Sequence, residues 1–126
     1  MRAFLDANVL FTTAHNPRGK AAFAIELGAA GRFSLFTSDA AREEAERNLA
    51  AKYPDSLPLL SALLDRITPV TADLSAPFPH GLPATDACRA THFLTGDLHH
   101  FGPFMNQPEM ACSIIVQTVA EFLAAL

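Results

Sequence analysis

Two aspartates stand where short apolar runs give out: Asp6 in Phe4-Leu5-Asp6-Ala7-Asn8, and Asp97 in Phe93-Leu94-Thr95-Gly96-Asp97. Runs of this length and composition read as buried strands, so each acid would sit at a strand's carboxyl end. Open α/β sheets gather their chemistry at those ends. A pair of acids meeting there suits a hard divalent cation such as Mg²⁺, which binds through a few carboxylates, keeps several waters and completes its shell with substrate phosphate. The plainer reading is that each aspartate is a turn or helix-cap residue, a position that Asp favours for backbone hydrogen-bonding reasons. His99 and His100 follow Asp97 directly. Adjacent histidines point in different directions on a helix or a strand, and no third ligand is spaced to join them, so they are expected to play no part in a site. His15 and His80 fall in polar turns and His92 opens a strand, and none of the three is assigned a role.

The elements that would have to position these acids follow from pattern. Five short apolar runs, at residues 2–5, 32–36, 67–71, 92–95 and 113–116, read as buried strands. Asn16-Pro17 offers an N-cap and a first-turn proline, and Gly31 a terminator, which places a helix over 17–30. Ser38 can cap a second helix over 39–52, with Ala41, Ala45, Asn48 and Leu49 on one face and Pro54 ending it. A third covers 57–65, its Leu59, Leu60, Leu63 and Leu64 forming an apolar stripe at helical spacing, expected to be core. Thr118 and Glu121 have capping-box spacing and open a last helix through Leu126. Strands alternating with helices imply right-handed crossovers and a parallel sheet covered on both faces.

One connection breaks this pattern. Residues 72–91 hold Pro77, Pro79, Gly81 and Pro83 but no helix-length periodic segment, although parallel strands need a crossover of a dozen or more residues.

Bulk properties narrow the setting. At 126 residues and 50% apolar content the chain fits one domain with a continuous core. A net charge of −4 and a pI near 5.6 exclude coating of nucleic acid by bulk electrostatics. Any such contact must be local, and all the cations except Arg66 and Arg89 lie between Arg2 and Lys52. Cys88 and Cys112 are far apart without C-x-x-C spacing, so buried free thiols are expected rather than a disulfide or a zinc site. An acid at position 6 and the lack of a long apolar run predict a soluble, cytoplasmic protein that spans no membrane.

Three segments together resemble the ordered motifs of PIN-domain nucleases: Leu5-Asp6-Ala7-Asn8-Val9-Leu10-Phe11, then Thr37-Ser38 with Glu44 six residues after the serine, then Thr95-Gly96-Asp97-Leu98-His99-His100-Phe101-Gly102. Their order and spacing fit the whole chain, as far as the closing helix at Val119-Ala120-Glu121-Phe122-Leu123. The resemblance implies a three-layer α/β sandwich with a five-stranded parallel sheet in the order 3-2-1-4-5. It also implies three or four acids around one or two Mg²⁺ or Mn²⁺ ions, cutting RNA. Many members of the family are toxins of toxin–antitoxin pairs, which implies a small antitoxin protein as partner, and dimers are common among them. Residue by residue, Asp6 matches the first acid, Glu44 the second, Asp86 the third and Asp97 the fourth, with Asn8 and Thr95 as supporting polar residues. Glu44 is preferred to its neighbour Glu43 because it follows the Ala41 side of the helix, whereas Glu43 turns to solvent.

The same resemblance expects a helix between Asp86 and the fourth strand, and Cys88-Arg89-Ala90-Thr91 leaves no room for it. Either that helix is deleted, which draws Asp86 away from the other acids, or a stretch of chain is missing between Asp86 and Arg89. A sheet stripped of one covering helix would expose an apolar face, which favours the second. Two rivals stand beside the nuclease reading. One is a PIN fold that has lost activity and serves as an interaction module. The other is a haloacid-dehalogenase-like phosphatase, which wants Asp at position 8 and a late lysine, where this chain has Asn8 and no lysine after Lys52.

Overall fold

The computed structural model describes residues 1–70, 89–111 and 113–126. Five strands, β1 (Arg2–Leu5), β2 (Ser34–Ser38), β3 (Thr68–Val70), β4 (His92–Leu94) and β5 (Ile115–Gln117), form one sheet in the order β3-β2-β1-β4-β5. Every pairing is parallel. Fold class and strand order are those expected from the sequence. Asp86, the short connection around it and any break before Arg89 lie outside the described residues, as do His80, Cys88 and Cys112.

Alternation along the strands sorts the core into two layers. Ala3, Leu5, Leu35 and Leu94 point to one face and pack with α1 (Ala7–His15), α2 (Lys20–Ala29), α3 (Asp39–Lys52), α4 (Leu57–Leu64) and the closing helix. Phe4, Phe36, Phe93 and Val116 point to the other, where Phe101, Phe104, Met105, Ala111 and Ile114 cover them. Leu49 and Leu60 sit at 0% and 1% exposure in the first layer. Truncating such a leucine to alanine costs about 2–5 kcal/mol, so this face carries much of the stability.

The helix boundaries show where local chemistry decided. Ser38 accepts a hydrogen bond from the Ala41 N–H at 3.1 Å, and α3 runs over the expected residues. At the far end of α2, Gly31 adopts φ +91°, the Arg32 N–H donates to Leu27 O and the Gly31 N–H to Gly28 O. That pair of bonds is the Schellman arrangement, which requires a left-handed residue and explains the glycine. Within α2, a Cβ on Gly28 would lie 2.5 Å from Leu35 Cδ1, so the helix sits on β2 more closely than a side chain would allow. The closing helix, Val119–Ala124, carries both bonds of the capping box between Thr118 and Glu121.

Three expectations need correction. The segment after Asp6 is helical as α1, and the helix placed over 17–30 begins only at Lys20, because Asn16 to Gly19 form a turn closed by the Gly19 N–H on Asn16 O. Strand β2 lies two residues later than predicted. In α4 only Leu60 is fully buried; Leu63 and Leu64 are partly covered, and Leu59 is 45% exposed, at the wall of a cleft shared with Ala22 and Ile25 of α2. Phe101, Phe104 and Met105 pack against the sheet.

Candidate functional site

The register decides which acids meet. Leu5 pairs with Leu94 across β1 and β4, so the residues that follow, Asp6 and Thr95, leave adjacent strands side by side. The Asp6 N–H continues the ladder by donating to Leu94 O at 3.0 Å. Thr95, at 0% exposure, donates its hydroxyl to Asp6 Oδ2 at 2.8 Å and accepts from the Asp97 N–H at 3.0 Å. Asn8, the second residue of α1, bridges the two strand ends. Its Nδ2 donates to Asp6 Oδ2 at 3.0 Å and to Thr95 Oγ1 at 3.1 Å, and its Oδ1 accepts from the Gly96 N–H at 2.7 Å.

Asp6 also caps α1, its Oδ1 accepting from the Ala7 N–H at 2.8 Å. Despite these donors, its carboxyl titrates above the usual carboxylate range. Burial is the main cause, and the nearby Asp97 charge adds to it against the opposing hydrogen bonds. Asp97 shifts the other way. It caps α5 (Leu98–Phe101), where the His100 N–H donates to Oδ1 at 3.1 Å and holds the carboxyl below the usual range. The His100 Nδ1 lies 2.7 Å from Asp97 Oδ2 and adds to this.

Asp6, Asn8, Glu44 and Asp97 all line one open cavity of about 630 Å³. Glu44 reaches it from α3, whose Ala41, Ala45 and Leu49 face the core. Glu43 and Glu44 are both exposed, so exposure does not separate them; Glu44 is the one of the two that lines the cavity. Three of the four acids expected from the sequence thus line one cavity with Asn8, and Thr95 bonds Asp6 behind it; the fourth, Asp86, is outside the described residues. Sequence reasoning missed three residues in the same wall. Asn48 and Lys52 follow Glu44 at i+4 and i+8, a spacing that puts all three on one stripe of α3. His100 sits three residues after the capping Asp97, a spacing that brings the two side chains together at a helix start.

The donor set offered to a cation is carboxylate oxygen, the chemistry Mg²⁺ and Mn²⁺ prefer, and such ions need only one or two protein carboxylates beside water and phosphate. Asp6 fits best, since a desolvated anion gains most from a nearby positive charge. Among the described residues no group of three or more His, Cys, Asp or Glu side chains is gathered closely enough to hold a metal ion. No helix among them is long and apolar enough to cross a membrane.

No family model matches the chain, and no curated protein matches it significantly.

Proposed function

We propose that the chain is a divalent-metal-dependent ribonuclease that hydrolyses RNA phosphodiester bonds at the Asp6–Glu44–Asp97 cavity, as the PIN-domain resemblance implies. The observation that carries this reading is the arrival of three acids, from the end of β1, the flank of α3 and the end of β4, in the wall of one open cavity. The strand order is also the one that the resemblance implies. Asp86 enters as a fourth acid on the resemblance alone. On the same ground the chain acts in the cytoplasm as the toxin of a toxin–antitoxin pair. Its partners are then an RNA substrate, a small antitoxin protein and a second copy of itself.

Asp6 and Asp97 would hold a Mg²⁺ or Mn²⁺ ion, with Glu44 reaching it through water or orienting the attacking water. When bound, such an ion acidifies a water and offsets the charge building on the phosphoryl and leaving oxygens. Asn8 and Thr95 hold the Asp6 carboxylate through Oδ2, while Oδ1 accepts from the Ala7 N–H alone and would be the oxygen offered to the ion. No side-chain nucleophile is required.

A specific observation favours a second reading, an inactive interaction module: both Asp97 oxygens are engaged by His100. Calorimetric titration with Mn²⁺, combined with RNA cleavage by the wild type and Asp6→Asn, separates the two. The ribonuclease reading expects saturable binding and cleavage that Asp6→Asn removes. No binding and no cleavage in the wild type would leave the module.

A further inference from the structure

The wall of the acidic cavity continues into an aromatic cluster that the proposed chemistry does not use. Phe11 lines the cavity from α1, and its ring centroid lies 6.1 Å from that of His15 and 5.9 Å from that of Tyr53. His15, in the last turn of α1, and Tyr53, the C-cap of α3, stack with centroids 3.7 Å apart and planes 18° from parallel. Tyr53 keeps 42% exposure and His15 is exposed, so the pair offers aromatic surface to solvent. Lys52 lines the same cavity, and its Nζ lies 5.8 Å from the Phe11 ring centroid.

The geometry points to a binding subsite for single-stranded nucleic acid, in which a base flanking the phosphodiester in the cavity stacks on His15 and Tyr53 while Lys52 meets a backbone phosphate. This deepens the ribonuclease reading and rests on it. Stacking platforms beside a cation are how proteins hold unpaired strands, because every base has a π-face and every nucleotide a phosphate. A chain with a net charge of −4 cannot attract RNA as a whole. A lysine joined to exposed rings at the mouth of the acidic cavity supplies the attraction locally. The site would favour unpaired over duplex RNA, since bases in a duplex are already stacked.

Tyr53 is the single tyrosine and the chain has no tryptophan, so its emission reports on this one place. The test titrates the full chain in EDTA with single-stranded oligouridylate and oligoadenylate on the order of a dozen nucleotides long, fluorescein-labelled for anisotropy, and with the matching duplex. The expected result is quenching of Tyr53 emission by the single strands and not by the duplex. Tyr53→Phe keeps the affinity measured by anisotropy, whereas Tyr53→Leu and His15→Leu lower it about tenfold. Lys52→Gln reduces the slope of log affinity against log salt by about 0.7, the value for one phosphate contact. Circular dichroism melts establish that each variant is folded, and the wild-type quenching stands without any variant. Unchanged emission with single strands overturns the proposal, as does Tyr53→Leu binding like the wild type. An emission change that follows protein concentration without RNA also overturns it, in favour of self-association. Because no cation is present, loss of quenching is distinct from loss of cleavage, which bears on the ribonuclease reading alone.

Discussion

Asp6 and Asp97 leave neighbouring strands at the same edge of the sheet, yet the protein treats the two charges in opposite ways. Around Asp6 the chain has withdrawn water and supplied three donors, which do not compensate for the desolvation, so ionisation there is costly. Around Asp97 a helix N-terminus and His100 are in place, and ionisation is favoured. One acid is satisfied without a cation and the other is not. Two carboxylates of the same type can therefore share a cavity and differ in what they gain from a bound ion, with Asp6 gaining more.

The largest effect expected from this contrast is on cleavage. Asp6→Asn should lower Mn²⁺-dependent RNA cleavage by more than about 100-fold, beyond what residues that merely support a ligand carry. Asp97→Asn should do the same while its amide still caps α5. If Asp97→Asn cuts like the wild type, Asp97 is a helix cap only and the contrast collapses to a single ligand. Asn8→Ala should cost about 10–100-fold in cleavage or in Mn²⁺ affinity, since it frees Asp6 and Gly96 from one another. Retention of both by that variant would show that Thr95 alone positions Asp6.

Stability against pH tests the contrast without metal or RNA. A carboxyl raised in the fold contributes stability that is complete below its ordinary pKa and is lost as pH rises through the folded value. A lowered one contributes stability that is present above its ordinary pKa and lost as pH falls through the folded value. Denaturant titrations in EDTA should therefore show Asp6→Asn flattening the loss just above the usual carboxylate range. Asp97→Asn should flatten the loss on the acid side, and identical profiles for the two would show that the two environments do not differ. The smallest effect is expected from His100→Ala. Because the backbone N–H of residue 100 is the larger cause of the Asp97 shift, the variant should move that carboxyl only part of the way back, as followed by carbon-13 NMR.

The parallel sheet, α3 with its Ser38 cap and the Thr118–Glu121 box were legible because each is written in local pattern and chemistry, whereas the strand order came from the PIN-domain resemblance alone. Helix α1 was not. Asn8, Val9, Thr12 and Thr13 are weak helix formers, and the tertiary environment holds them helical: Val9 and Leu10 are buried, and the buried Thr13 hydroxyl donates to Val9 O at 2.8 Å. The helix start was concealed in the same residue that drew attention for its charge, since Asp6 is both cap and candidate ligand. Asp6 and Asp97 could be read from strand ends and Glu44 only from the resemblance, whereas the role of His100 depended on α5, a four-residue helix too short to leave a periodic signal. His15 and Tyr53 come together only through the packing of α1 against α3, which no spacing encodes.

The stretch that follows β4 belongs to two structures at once. It begins with Asp97 and His100 in the cavity wall and continues through Phe101, stacked edge-on against Phe93 at 5.0 Å, to Met105, which bridges to Val116. Opening it to expose Phe93 and Val116 would withdraw Asp97 from Asp6 in the same movement. Hydrogen exchange should then report the acidic edge and the second hydrophobic layer opening together, as one cooperative unit. A cation that draws Asp97 toward Asp6 would therefore slow amide exchange on the far face of the sheet, where it touches nothing.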